Sequence, residues 1–252
     1  MNLSDRQRAI LDWLRDGHPL GTEQIAVRFG VSSQTIRRDV QELSDQGLVR
    51  RQHGSVALPA SQHNLSFAQR SDAQAERKRR IARAAAPSLP EDATVFLGYG
   101  TTVAEFARAL PPERPLRVVT NNLDAALALA EKPAVETWLT GGRLRPQDRD
   151  TMGSWALEAF GRFRPHVAVV GIGGIAADGA LMEFQPDEAD LTRALLERCA
   201  EAWLLADGSK YLRDAPCLVA PLARITRAFT DADAPAALDA LFDQAGVPLH
   251  RC

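Results

Sequence analysis

Residues 31–58 read VSSQTIRRDVQELSDQGLVRRQHGSVAL. Ser32 is a natural N-cap, and the spacing behind it predicts a helix over 33–46, with Ile36, Val40 and Leu43 on one apolar stripe. Gln34, Arg37, Arg38 and Gln41 recur at i, i+3, i+4 and i+7 on a different stripe, with Ser33 and Thr35 at the helix start. Gln makes bidentate bonds to adenine and Arg to guanine, while Ser and Thr hydroxyls reach phosphates. The following GLVRRQHGSVAL reads as a two-stranded wing carrying Arg50, Arg51 and His53. An Arg-Arg pair on a helix is by itself an ordinary solvated face. Its company changes the reading. Ser4 and Gln7 form an S-x-x-Q capping box for a helix bearing Ile10, Leu11 and Leu14, which Gly17 and Pro19 end. TEQIAVRF (22–29) places Ile25 and Phe29 four apart, and Gly30 permits a sharp turn. Three short helices and a basic hairpin make residues 1–58 an α+β winged helix-turn-helix, with a double-stranded DNA operator as its partner.

The rest of the chain has a different character. Of 252 residues, the first 80 hold 13 Lys+Arg against 9 Asp+Glu, a balance of +4; the remainder hold 17 against 23, a balance of −6, giving the net charge of −2. A basic front and an acidic rear imply two jobs, with polyanion binding at the front. Only Lys78, Lys132 and Lys210 are lysines among 30 basic residues, so each lysine carries information in an arginine-biased chain. No apolar run approaches the roughly 20 residues that span a bilayer, and MNLSDRQRAILDW lacks the apolar segment of a secretory signal. Three well-separated cysteines, Cys199, Cys217 and Cys252, fit neither a disulfide framework nor a CxxC metal site, so a cytoplasmic chain without membrane partners is expected. His18, His53, His63, His166 and His250 lack metal-ligand spacing, and neither metal nor cofactor is expected.

Residues 59–74 read as a polar linker beginning at Pro59, and 75–252 as a second domain that opens with a helix near 75–86. Behind it, apolar runs alternate with helical stretches. TVFLG (94–98), RVVT (117–120), VETWLT (135–140), HVAVVG (166–171), AWLLAD (202–207) and ITRAFTD (225–231) read as strands. TVAEFARAL (102–110), LDAALALAEK (123–132), PDEADLTRALLERCA (186–200) and APAALDALFDQA (234–245) read as helices. Such alternation predicts an α/β domain around a mostly parallel sheet. The order strand, then Gly98-Tyr99-Gly100-Thr101-Thr102, then helix puts free N–H groups and two hydroxyls at a helix N-terminus, which favours phosphate. Thr120, Asn121 and Asn122, Gly141 and Gly142, and Gly171 and Gly173 fall at the carboxyl ends of further strands, where parallel sheets bind ligands. Asp207 and Lys210, in ADGSK, follow another strand. Singly, such residues mostly make turns; together they outline one crevice.

The 31–58 stretch resembles the N-terminal signature of the DeoR family of bacterial transcriptional regulators. The resemblance continues through ERKRRIARAAA (76–86), GTT (100–102), TNN (120–122), GGRLR (141–145), VGIGGI (170–175), Asp178-Gly179 and ADGSK (206–210), nearly the whole chain. It implies a sensor domain similar to ribose-5-phosphate isomerase, a phosphorylated sugar or polyol as effector, a repressor that the effector controls, and a homo-dimer or homo-tetramer. By that analogy the GTT loop takes the phosphate, Lys210 contacts the ligand, and Glu183 in LMEF meets a ligand hydroxyl. HGSVALPAS (53–61), LMEFQPDEAD (181–190) and the final Cys resemble the branch that responds to glycerol 3-phosphate, which makes that compound the leading candidate. Two positions depart from the family pattern: Ser55 stands where Gly is usual in the wing, and Gly98 where Asp usually precedes x-GTT.

Two enzyme readings compete. A sugar-phosphate isomerase carries an acidic DGADE-type loop after a central strand, whereas HVAVV is followed here by GIGGIAAD, with no evident base. Gly171-x-Gly173-x-x-Ala176 matches a dinucleotide fingerprint, but Asp178-Gly179 read as a turn where that motif needs a helix.

Overall fold

The structure is a computed structural model that describes residues 3–15, 20–45, 48–52, 55–57 and 67–252. It divides into two compact units, Met1–Leu65 and Ser66–Cys252.

In the first unit, α1 (Asp5–Arg15), α2 (Thr22–Phe29) and α3 (Ser33–Asp45) pack around Ile10, Leu14, Ile25, Ile36, Val40 and Leu43, all essentially inaccessible. The capping box at α1 forms reciprocally: Gln7 N–H donates to Ser4 Oγ at 3.1 Å and Ser4 N–H to Gln7 Oε1 at 2.9 Å. Gly30 adopts φ 62°, a left-handed conformation that closes α2 at little cost for a residue without Cβ. Arg6 holds Asp39 with Nε–Oδ2 at 2.6 Å, clamping α1 to α3. The wing has three strands where the sequence predicts two. Leu20–Gly21 (β1) pairs antiparallel with Ser55–Ala57 (β3), which pairs with Arg50–Gln52 (β2). Val56 lies in the core beneath them. Gly17, Pro19, Gln46 and His53 lie outside the described residues.

The second unit is built on seven parallel strands in the order β15-β14-β12-β9-β4-β5-β6. In chain order these are β4 (Thr94–Leu97), β5 (Leu116–Thr120), β6 (Val135–Leu139), β9 (Val167–Val170), β12 (Glu201–Leu205), β14 (Arg227–Thr230) and β15 (Leu249–Arg251). The period-2 alternation of strand side chains divides the interior in two. Phe96, Ala168, Val170 and Leu204 face one layer, together with residues of α8 (Ser154–Gly161), α9 (Pro186–Arg198) and α10 (Ala237–Ala245). Val95, Leu97, Val169 and Trp203 face the other, with α5 (Ala75–Ala85), α6 (Thr101–Ala109) and α7 (Leu123–Ala130). Helices on both faces explain why these strands read as unbroken apolar runs.

Additional elements appear. Residues 67–72, within the segment read as a linker, form a short helix, α4 (Phe67–Asp72), whose Phe67 is buried. Arg143–Arg145 (β7) and Asp150–Met152 (β8) form a hairpin. Gly174–Ile175 (β10), Ala180–Glu183 (β11) and Cys217–Pro221 (β13) form a small antiparallel sheet. The stretch after Gly171-x-Gly173 is thus strand and turn, not the helix a dinucleotide fingerprint needs. Among the described residues, no helix is long and apolar enough to cross a membrane.

Candidate functional sites: a DNA-reading helix and an anion crevice

On α3 the two stripes separate as the spacing requires. Ile36, Val40 and Leu43 are buried, while Gln34, Arg37, Arg38 and Gln41 are exposed. Ser32 caps the helix, accepting from Thr35 N–H at 3.2 Å, and its hydroxyl also bonds the Thr35 hydroxyl at 2.9 Å. Ser33 occupies the first helical position. Arg38 leans toward Glu42 at 3.4 Å with most of its side chain in solvent, a contact worth little. From the wing, Arg51 donates to Gln41 Oε1, so wing and helix present one polar surface. Arg37, Arg51, Thr22 and Ser55 line a notch of about 340 Å³ between them. Arg50 stands on β2 beside Arg51.

In the second unit the candidate crevice residues gather at the carboxyl ends of β4, β5, β9 and β12. Gly100 adopts φ 104° as the N-cap of α6, a conformation open to glycine, and so turns the chain from strand into helix. The first-turn N–H groups of Thr101 and Thr102 precede the first intrahelical bond, Ala104 N–H to Gly100 carbonyl. Both threonine side chains are buried. Thr120 and Asn122 hold this loop in place. Thr120 Oγ1 donates to Leu97 carbonyl at 2.8 Å, and Asn122 Nδ2 donates to the carbonyl of Gly100 at 3.0 Å while its Oδ1 caps α7. Asn121 donates to Thr151 carbonyl, and its buried Oδ1 has no protein partner. Gly98 lies at the end of β4, its N–H on Val169 carbonyl at 3.0 Å. A Cβ on Gly171 would sit 3.8 Å from Tyr99 carbonyl, so that glycine backs onto the same loop. Gly141 and Gly142 lie at the end of β6, where Gly142, at φ 128°, passes against Met152 of the hairpin.

The charged groups converge here. Asp207 accepts from Ser209 N–H at 2.9 Å, capping a single 3₁₀ turn that carries Lys210. Burial, then the neighbouring charges of Arg213, Lys78 and Arg70, push the Lys210 ammonium down to about 7 against the pull of Asp207. Asp207 itself is held below the usual carboxylate range: burial opposes its charge, but Lys210 and Ser209 outweigh that. Glu183 is buried, and burial together with the like charge of Glu188 pushes its carboxyl up to about 8. Its Oε1 has no partner in the protein. Gly173 and Gly174 make room for this arrangement. A Cβ on Gly173 would lie 2.6 Å from Glu183 Oε2, and one on Gly174 would lie 2.0 Å from Arg213 carbonyl.

Several residues of the crevice escape sequence reading. Tyr99 hydroxyl contacts Glu188 carbonyl and Thr192 Oγ1 at 3.2 and 3.0 Å. Arg145 of β7 bridges Asp150 and Glu188 at 2.6 and 2.7 Å. Arg70 of α4 pairs with Asp148 at 2.7 Å, and Lys78 donates to the carbonyls of Arg70 and Ala73. The scarcity of lysine was the one available signal for Lys78. Each lysine has a buried or bonded ammonium, since Lys132 likewise caps α6 through the carbonyls of Leu110 and Arg108 at 2.7 and 3.2 Å. Among the described residues, no cluster of three or more His, Cys, Asp and Glu side chains is arranged to hold a metal ion.

Comparison with known proteins agrees with both halves. A DeoR-like helix-turn-helix domain matches residues 6–62, and a DeoR C-terminal sensor domain matches residues 73–232. The glycerol-3-phosphate regulon repressor of Escherichia coli K12 is 35% identical over 252 residues, covering 100% of both chains. The transcriptional repressor CsqR of the same organism is 38% identical over 219 residues, covering 87% of this chain and 84% of its own. Among solved structures, ribose 5-phosphate isomerase A from Methanocaldococcus jannaschii overlaps 55% of each chain at 15% identity with a TM-score of 0.40. Both domain types are present in their expected order, and full-length relatives exceed 30% identity: the chain belongs to the DeoR family of DNA-binding transcriptional regulators.

Proposed function

We propose that this regulator is a repressor whose second unit senses a phosphorylated sugar or polyol, with glycerol 3-phosphate the first compound to test. The observation that carries the proposal is the meeting of a helix N-terminus with a buried, crowded cluster of cations. The loop Gly98–Thr102 opens α6, and burial first, then the like charges of Arg213, Lys78 and Arg70, depress the Lys210 ammonium. A phosphate relieves that crowding and fills the first-turn N–H groups. In this reading Gly100, Thr101, Thr102 and Lys210 hold the phosphate. Glu183, carrying a proton near neutral pH, meets a ligand hydroxyl, and Asp207 positions Lys210. Asn121 offers its free Oδ1 to the polyol, and Gly98, Thr120, Asn122, Gly141, Gly142, Gly171 and Gly173 shape the crevice wall. Glycerol 3-phosphate leads because a full-length relative bears its name. The first unit reads operator DNA through α3, with Arg37, Arg38, Gln34 and Gln41 at base edges and Ser32, Ser33, Thr35 and Arg51 toward phosphates; Arg50 and His53 are further DNA-binding candidates by sequence. A homo-oligomer, dimer or tetramer, places two such helices on repeated half-sites.

A thermal-shift series with sugar and polyol phosphates tests the effector. A ligand at 100 times its Kd stabilises the folded state by about 2.7 kcal/mol. The expected result is a shift with one or a few compounds that also release operator DNA. No shift with any phosphate would sink the effector reading. Glu183, a buried carboxyl near the crevice, is the observation that keeps an isomerase alternative in view. Incubation with ribose 5-phosphate and with the shifting compound is expected to return each unchanged, and turnover lost in Glu183→Gln would move the chain into the enzyme class.

A further inference from the structure

The chain that leaves the first unit enters the second at Ser66, and its first helix there is α4, Phe67–Asp72. Six residues are too few for a helix to stand alone, since even good helix formers need about 12–15. α4 is held from outside, by two clamps. The first is the turn between β7 and β8. Phe67 is buried, its N–H donates to Gln147 carbonyl at 2.7 Å, and the Arg149 guanidinium lies 5.7 Å from its ring centre. Arg70 pairs with Asp148 of the same turn at 2.7 Å. The second clamp is one side chain of α5. Lys78 Nζ donates to the carbonyls of Arg70 and Ala73, which ties down the C-terminal end of α4.

Both clamps are electrically joined to the crevice. Lys78 is buried and forms no ion pair among the described residues; its partners are neutral carbonyls. Burial lowers its ammonium pKa against the pull of Asp207, and its charge acts in turn on Lys210. The hairpin clamp reaches Glu183. Arg145 stands 3.6 Å from Asp148 and bonds Glu188 at 2.7 Å, and the charge of Glu188 bears on the Glu183 carboxyl. The segment through which the first unit is tethered is thus gripped by the same groups that an anion in the crevice would disturb.

A phosphate brings full charge as well as acceptors, and in a buried setting an ammonium is drawn to it more strongly than to carbonyl dipoles. We propose that Lys78 is a strap worked by the effector: a phosphate bound beside Lys210 draws the Lys78 ammonium off the carbonyls of Arg70 and Ala73, and the loosened α4 passes the change into the chain that leads to the DNA-reading unit. The proposal rests on the phosphate reading of the crevice. An effector acts only through unequal affinity for two states. Here the strapped state favours operator binding and the released state favours phosphate. Lys78 acts on DNA through α4 and is a positioning residue. The chain passes once from one unit to the other, just ahead of α4, so a change in that helix meets the tether directly.

The test is amide hydrogen exchange of the full chain, read by mass spectrometry on peptides covering 67–78, with glycerol 3-phosphate and, separately, inorganic phosphate as probes. Calorimetry gives their affinities, and thermal melting is the folding control. Wild type with glycerol 3-phosphate bound is expected to exchange the α4 amides several-fold faster, while the first turn of α6 is slowed. Lys78→Met is expected to exchange α4 fast with and without either probe. Asp148→Asn loosens the other clamp and leaves Lys78 in place. Because it makes release easier, it is expected to bind glycerol 3-phosphate several-fold more tightly and to leave operator at correspondingly lower concentrations; a crevice merely damaged by the substitution would bind more weakly. Unchanged or slowed α4 exchange in liganded wild type would overturn the strap and leave the crevice reading intact. So would an Asp148→Asn chain that binds no more tightly than wild type. Failure of wild type to bind either probe would overturn the crevice reading, and the strap with it.

Discussion

On the proposed reading the two surfaces meet the same chemical group, phosphate, by opposite means. On α3 the cations stand in water: Arg37 and Arg38 are exposed, and Arg38 keeps only a long contact to Glu42. Exposed charges cost little to hold and bind a polyanion through number and spacing, so affinity spreads over many weak contacts and falls steeply with salt. In the crevice, Lys78 is buried and Lys210 half-buried, both with lowered ammonium pKa values. Such charges are costly to hold, and on the proposed reading one small anion offsets that cost. The comparison teaches that, if the proposed function holds, one surface is built to bind DNA through many exposed charges and the other to respond to a small anion's concentration.

Breaking the exposed side should have the larger consequence for operator binding itself. Arg37→Ala or Arg38→Ala is expected to cost about 1–3 kcal/mol in operator affinity. If the lost contact reads a base, specificity relaxes at one position; if it meets a phosphate, all sequences weaken alike. Electrophoretic titration against operator and scrambled DNA separates the two, with melting temperature unchanged because both side chains lie off the buried stripe. Wild-type affinity in both variants would remove α3 from the interface. Ser32→Ala tests the support of the same helix. Loss of an N-cap is expected to lower stability by about 1 kcal/mol, read as an earlier denaturation midpoint for the first unit.

On the crevice side, Thr101→Val deletes a hydroxyl at nearly constant volume and should weaken the effector by about 0.5–1.5 kcal/mol, measured by calorimetry. The smallest effect is with pH. A bound phosphate raises the Lys210 pKa above its free value of about 7, so affinity is full below that value and declines as pH rises through it. Effector Kd measured from pH 7 to about 9 should rise in wild type; phosphate remains doubly charged across that range, its second pKa being about 6. Lys210→Arg, whose charge does not titrate there, should leave only the rise contributed by the Glu183 carboxyl at about 8, and a wild-type profile no steeper than that of Lys210→Arg would separate Lys210 from the ligand.

Legibility followed locality. The reading helix was visible because Ser32, the Ile36–Val40–Leu43 stripe and Gly30 are neighbours in sequence, and a cap, a period and a turn are local physics. The central strands were visible because burial on both faces makes unbroken apolar runs. The hairpin of β7 and β8 was not: RLRPQDRDTM lacks apolar alternation, and its fold depends on Arg145 meeting Asp150 and Glu188. β10 has two residues, too few for any period to show. The third strand of the wing, Leu20–Gly21, is equally short. In the crevice, the GTT loop was legible as strand, glycine and helix in sequence. Tyr99 against Glu183 was not, because the fold joins residues far apart in sequence; nor was Arg70 beside Lys78, because α4 lies in the polar stretch that reads as a linker. Glycines at 173 and 174 read as ligand loops or turns. Their surroundings add a second reason, since Glu183 and the Arg213 carbonyl occupy the space a side chain would need.

The most direct test of the account is operator binding by Lys210→Ala with and without saturating effector, beside the same titration of wild type. Loss of a charge-assisted contact is expected to weaken the effector by about 1.5–3 kcal/mol, while intrinsic operator affinity stays at the wild-type value because Lys210 lies in the other unit. An effector shifts the DNA-binding equilibrium only by its differential affinity for the two states, so the variant should remain on its operator at effector concentrations that release wild type. Full release of Lys210→Ala at the wild-type effector concentration would contradict the account.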